Sequence, residues 1–179
     1  MLTKNFYHCL LGCMRRKDGG TYTVTVTTID GNEQKTTQYM DDAPRTLLGA
    51  LGNSTSIANG SKHGTISGTF FGTGRTPATV DDIALEAPIT STEIAMSSPS
   101  NTGVISRVDN DGAFISAAYN IANNSSEDVA VSEAGIYGVL EAATNKPFLL
   151  DHTVLETPIV IVPGQSVTIN YEIRFPYIP

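Results

Sequence analysis

The side chains able to do chemistry fall into short clusters, and each cluster sets a spacing test. Cys9 and Cys13 stand four residues apart with His8 beside them. A tetrahedral zinc needs further ligands, and the usual Cys-x2-Cys or His-x3-His pairs are absent, so the cysteines read as small apolar residues. Asp151-His152-Thr153 places an acid next to an imidazole. In a strand, successive side chains point to opposite faces, so that pair cannot act together locally. No Gly-x-Ser-x-Gly elbow accompanies it, and His152 reads as a half-buried strand residue. Gly72-Thr73-Gly74 has the opening of a phosphate loop, but the spacing to a lysine and hydroxyl fails, and a turn needing positive φ is the preferred reading. Asp109-Asn110-Asp111-Gly112 has the opening of a calcium loop without its bidentate glutamate. It reads as a hairpin turn, with a weak surface calcium site as the alternative. Glu127 and Asp128 read as solvated loop carboxylates.

Glu133 is different. It interrupts an apolar strand, Val131-Ser132-Glu133-Ala134-Gly135-Ile136-Tyr137, next to a glycine. A β-bulge whose carboxylate accepts backbone N–H bonds accounts for that placement. Catalysis is the lesser reading, because no histidine, lysine or second acid accompanies Glu133 in the segment.

The elements that must position these residues are mostly strands. Residues 1–18 repeat Leu2, Phe6, Cys9, Leu10 and Cys13 at helical spacing, with Thr3 as N-cap and Gly19-Gly20 as terminator. An isolated four-turn helix is marginal in water, so it must dock, and a neighbouring subunit is favoured over its own domain. From Thr21 the period becomes 2. Strands are expected at 22–27 and 35–39 around an Asp30-Gly31 hairpin, then at 65–71, 89–96, 103–108, 113–121, 129–139, 148–155, 159–162 and 166–175. Residues 41–62 read as a long irregular connection with a helical turn at 46–51, and Val80 to Leu85 as one helical turn. The last strand alternates most cleanly: Val167, Ile169, Tyr171, Ile173 and Phe175 face one way, with polar residues between them. Helices long enough for parallel crossovers are missing, so the sheets are antiparallel. The expected fold is all-β, a jelly-roll-like antiparallel β-sandwich over 19–179 with a short N-terminal helical arm over 1–18.

Composition narrows the function. The chain of 179 residues suits one domain with an appended arm. Its 18 acidic and 11 basic residues give a formal charge of −7, and the dense basic run is Arg15-Arg16-Lys17, so direct nucleic-acid binding is not expected as the main task. No segment approaches the roughly 20 apolar residues that span a bilayer, and no secretory signal is read at Met1 to Met14. Two cysteines imply no disulfide framework. A soluble protein folded in a reducing cytoplasm, with no cofactor, metal or small-molecule substrate, fits these features.

Several phrases together resemble the virion structural proteins of tailed bacteriophages and prophages. They are Phe71-Gly72-Thr73-Gly74 with Pro77 and Val80-Asp81-Asp82; Ser132-Glu133-Ala134-Gly135-Ile136-Tyr137; Leu149-Leu150-Asp151-His152-Thr153-Val154; and Val162-Pro163-Gly164-Gln165-Ser166 with Tyr171-Glu172-Ile173-Arg174-Phe175. The likeness covers about 65–179, and His152 stands where arginine is usual. It implies a head-surface (capsid), neck or collar, or tail component assembled in the bacterial cytoplasm, and it supplies no catalytic residues. The expected partners are copies of the chain and other virion proteins, with Phe6, Tyr7, Leu10 and Leu11 in the arm and Tyr177 and Ile178 in the tail as interface anchors. Deleting 1–18 should leave a folded β domain that no longer incorporates. The alternatives are a receptor- or glycan-binding module of a phage fibre, against which stands the lack of Trp, and a cell-wall or capsule hydrolase using Glu133 or His152.

Overall fold

The computed structural model describes residues 1–14, 22–38, 68–97, 104–109, 112–139 and 147–176. The expectations for Arg15-Arg16-Lys17, Gly19-Gly20, the 41–62 connection, Asn110 and Asp111, Tyr177 and Ile178 fall outside these residues, as do the side chains of Leu10, Leu11 and Cys13. Within them lie one helix, α1 (Lys4–Met14), and nine strands: β1 (Tyr22–Thr27), β2 (Glu33–Gln38), β3 (Gly68–Gly72), β4 (Ile94–Ser97), β5 (Val104–Asp109), β6 (Gly112–Asn123), β7 (Val129–Val139), β8 (Pro147–Ile161) and β9 (Ser166–Pro176).

Every strand pairing is antiparallel, and the fold is all-β. Strands β1 and β2 form a two-stranded sheet, a second sheet runs β3-β7-β8, and a third centres on β6, with β9 on one side and β4 and β5 end to end on the other; the last two build the sandwich. The β7–β8 hairpin is nested inside the β6–β9 pairing, so a two-strand ribbon runs from one sheet to the other. The sheets face each other as an open sandwich. Thr69 Oγ1 lies 2.8 Å from Tyr119 Oη, the Phe71 and Tyr119 rings meet edge-on at 5.6 Å, and Tyr171 donates its hydroxyl hydrogen to Asp151.

Alternation builds this core. On β9, Ile169, Tyr171 and Ile173 are buried while Thr168, Asn170, Glu172 and Arg174 are exposed. Opposite them β6 buries Ala117, Tyr119 and Ile121, and the register sets Ala117 against Tyr171, a small side chain against a large one. Each buried isoleucine among them contributes about 1.5–3 kcal/mol.

Two strand expectations are corrected. The strand expected at 89–96 begins only at Ile94; before it, residues 87–89 lie along the outer edge of β3, with Thr73 N donating to Ala87 O at 2.8 Å and Ile89 N to Phe71 O at 2.9 Å. The two strands expected on either side of Pro158 form a single strand, β8. It tolerates the proline because β8 is the outer strand of its sheet and Pro158 sits within a register shift, where Val131 pairs Ile159 but Glu133 pairs Val154. The helical turn expected at 80–85 is a tighter turn, closed by Asp82 N donating to Thr79 O at 3.4 Å.

The helix docks on its own chain. Residues 1–3 run antiparallel to β8: Leu2 bridges Asp151, Thr3 N donates to Leu150 O at 3.0 Å, and His152 N donates to Met1 O at 2.9 Å. Thr3 does not use its side chain as the expected cap. Its hydroxyl donates to Leu149 O at 2.6 Å, tying the start of the helix to the sheet. The buried Asn5 amide donates to Thr27 O at 2.8 Å and accepts from Thr27 N at 2.7 Å, acting as a strand partner for β1. Phe6 was expected as an anchor for a neighbouring subunit, and this is corrected: it is buried in its own core, 6.0 Å from the Phe175 ring. An apolar ring beside an open strand end is covered in cis, where no association entropy is lost. Tyr7 remains exposed.

Candidate functional site

The side chains that converge most densely surround Glu133. Strand β7 carries it at the register shift expected from sequence, with the extra residues on β8 rather than on β7 itself. Glu133 is fully buried, at 0% exposure. Its Oε1 accepts from Gly74 N at 3.1 Å and Ala87 N at 2.7 Å. Its Oε2 accepts from Glu86 N at 3.0 Å and meets His152 Nε2 at 3.0 Å. A carboxylate has about four lone-pair sites, so these partners saturate it. The carboxylate takes backbone N–H groups as expected, while the irregularity beside it belongs to the partner strand.

The backbone that Glu133 holds belongs to residues 72–88, a stretch without regular structure that arches from β3 back along its edge. Glycine is required here for closeness. A Cβ on Gly74 would come within 2.6 Å of both Glu133 Oε1 and Glu86 Cβ, and one on Gly72 would meet Glu133 Oε1 and lie 2.6 Å from Ala87 O. The positive φ expected for this turn is not used; Gly31, Gly112 and Gly164 take positive φ, and Gly72 and Gly74 do not. Further carboxylates brace the arch. Glu86 Oε2 accepts from Arg75 N and Thr76 N at 2.7 and 2.8 Å, and Asp82 accepts from Thr79 N and Oγ1 at 2.8 and 2.7 Å. Beneath it, Leu85 N donates to Tyr137 Oη at 2.6 Å.

His152 joins the arch to the sheet from β8. Its Nε2 faces Glu133, and its Nδ1 lies 2.6 Å from Asp82 Oδ2. A neutral imidazole has only one N–H, so two carboxylate contacts favour the doubly protonated ring. Burial works to lower its pKa, but the hydrogen bonds and charges of Glu133 and Asp82 outweigh burial and hold it above the ordinary value. Burial likewise pushes the Glu133 carboxyl up, and His152 with the Ala87, Glu86 and Gly74 amides more than reverses it, leaving it lowered. Asp82 behaves alike: burial raises it, and the Thr79 and His152 contacts bring it below the usual value.

Sequence reasoning gave Glu133 backbone N–H partners in kind, without naming Gly74, Glu86 or Ala87, and did not join it to His152 and Asp82. Register supplies the missing link: Gly135 pairs with His152 and Glu133 with Val154, so Glu133 and His152 are diagonal neighbours across β7 and β8. Asp151 turns the other way, as expected for its neighbour in a strand, and meets the Tyr171 hydroxyl and the Met1 amine.

The remaining candidates stay apart from this cluster. Cys9 packs at the edge of the core, and Asp109 pairs with Gly112 at the β5–β6 hairpin. Glu127 and Asp128 line an open cleft of about 570 Å³ together with Thr90, Ser91, Glu93 and Ser125. Among the described residues no group of three His, Cys, Asp or Glu is placed to hold a metal ion, and no helix is long and apolar enough to cross a membrane. The chain matches no family model, no curated protein and no solved structure.

Proposed function

We propose that the chain is a structural subunit of a tailed-bacteriophage particle, in the head surface, neck or tail, acting by assembly with its own copies and other virion proteins rather than by catalysis. One spatial observation carries this reading. Three of the phrases that resemble virion proteins lie apart in sequence, yet Gly72, Gly74 and Asp82 from the first, Glu133 and Tyr137 from the second and His152 from the third meet in one cluster. Residues that converge in this way are constrained together as one physical unit, which is a stronger basis for likeness than scattered turns. The cluster's chemistry also suits a scaffold, because every lone pair of Glu133 is committed to backbone or imidazole and none is left for a substrate.

Exposed apolar side chains provide contact points for assembly: Tyr7 on α1, Val108 on β5 and Val160 and Val162 at the end of β8. The test is gradient sedimentation of particles from producing cells. The chain should travel with the particles in a fixed ratio to the major shell protein, and cells lacking it should yield incomplete particles. A chain left wholly at the top of the gradient, with particles complete without it, rejects the proposal.

A further inference from the structure

Nine of the contacts around the 72–88 arch converge on carboxylates, and a single cation, the His152 imidazolium, bridges two of those carboxylates across separate elements. The other charged groups nearby are otherwise engaged. Glu86 faces the Arg75 and Thr76 amides, Lys4 at the start of α1 pairs with Asp81, the Met1 amine sits on the His152 carbonyl and Asp151, and Asp151 points toward Tyr171. Among the described residues, the ion-pair part of the attraction between arch and sheet at this point therefore runs through one ring, beside the amides of Gly74, Glu86 and Ala87 that Glu133 accepts.

We propose that Asp82, His152 and Glu133 form a proton-operated clasp, which closes residues 73–87 over β7 and β8 while the imidazole carries two protons and loosens them when one is lost. Deprotonation leaves two carboxylates with one N–H between them, so one contact becomes a lone pair facing a negative oxygen. The arch is the part that yields, because it has no strand pairing of its own beyond residues 87–89. Its opening uncovers Leu85, which is buried against Gly135. This inference goes beyond the assembly reading and does not depend on it.

The sign follows from the directions of the shifts. The imidazole's contribution is complete below its unfolded value of about 6.5 and is lost as pH rises through its raised folded value. The carboxylates' contribution is complete above about 4.5 and is lost as pH falls through their lowered values. The clasp is therefore tightest between roughly pH 4.5 and 6.5.

Amide hydrogen exchange on the intact chain between pH 6 and 9 tests it, read as protection factors for Gly74, Glu86 and Ala87 against β6 and β9 amides. In the wild type the three should lose protection by up to about tenfold per pH unit on the alkaline side while the β6 and β9 amides do not. His152→Arg, permanently charged, should remove the dependence, and His152→Gln should show low protection at every pH. Flat wild-type protection, or an alkaline loss that survives in His152→Gln, overturns the proposal. If neither variant folds, the wild-type imidazole's own titration, read by NMR, must share its midpoint with the amide loosening; separate midpoints overturn it equally.

Discussion

Glu133 on β7 and His152 on β8 share a hydrogen bond of 3.0 Å between side chains that are both buried, diagonal neighbours in the strand register. That bond links two strands of one sheet and fixes the ring whose other nitrogen meets Asp82 of the irregular arch, and the first prediction concerns its acid partner. Glu133→Ala takes the acceptor from three backbone N–H groups and from the Nε2–H of His152. It should lower stability by about 3–5 kcal/mol, and Glu133→Gln, which keeps one accepting oxygen, by less. Urea denaturation of the two variants checks the order; equal stability of Glu133→Ala and wild type contradicts it.

Gly74→Ala tests closeness without changing charge. Its Cβ would be 2.6 Å from Glu133 Oε1, and overpacking of that kind costs about 1–3 kcal/mol. The double variant Gly74→Ala/Glu133→Ala should cost less than the two singles added together, because the clash with the carboxylate disappears while the one with Glu86 Cβ stays. Thermal or urea unfolding of the four proteins measures this coupling.

Phe6→Ala distinguishes a helix docked in cis from a free arm. With Phe6 buried beside Phe175, truncation should cost about 3–5 kcal/mol in the isolated chain. A free arm would leave stability unchanged and alter only association. For the same reason, deletion of residues 1–18 should destabilise the β domain, whose β8 edge and β1 amide they cover.

The acid limb offers a fourth test. Glu133 and Asp82 both have lowered pKa values in the folded chain, so stability should fall as pH drops below about 4.5. In Glu133→Gln that fall should be shallower, because one of the two groups no longer titrates. Denaturation midpoints from pH 3 to 6 give the slopes, and identical slopes would remove Glu133 from the acid response.

How far the sequence could be read depended on whether a feature was local. The alternation from Val167 to Phe175 marks β9 directly, because one face meets the core and the other water. The apolar run of β7 holds together from Val129 to Val139. That Glu133 takes backbone N–H groups could be read because a charge next to a glycine within an apolar strand has few outlets; which N–H groups could not. Its partnership with His152 and Asp82 could not, since it depends on how β7 and β8 register and where an irregular arch returns. The joining of β8 across Pro158 was hidden for a similar reason: proline ends a central strand but is tolerated at an edge, and edge position is a property of the whole sheet. Phe6 was misplaced because helical spacing shows that a face must be covered without showing which surface covers it.

The assembly claim is tested most directly by imaging purified particles in which this chain carries a bound label. The account predicts label density at fixed, symmetry-related positions on the head surface, neck or tail of each particle. Label found only on free protein, with particles showing none, would contradict it.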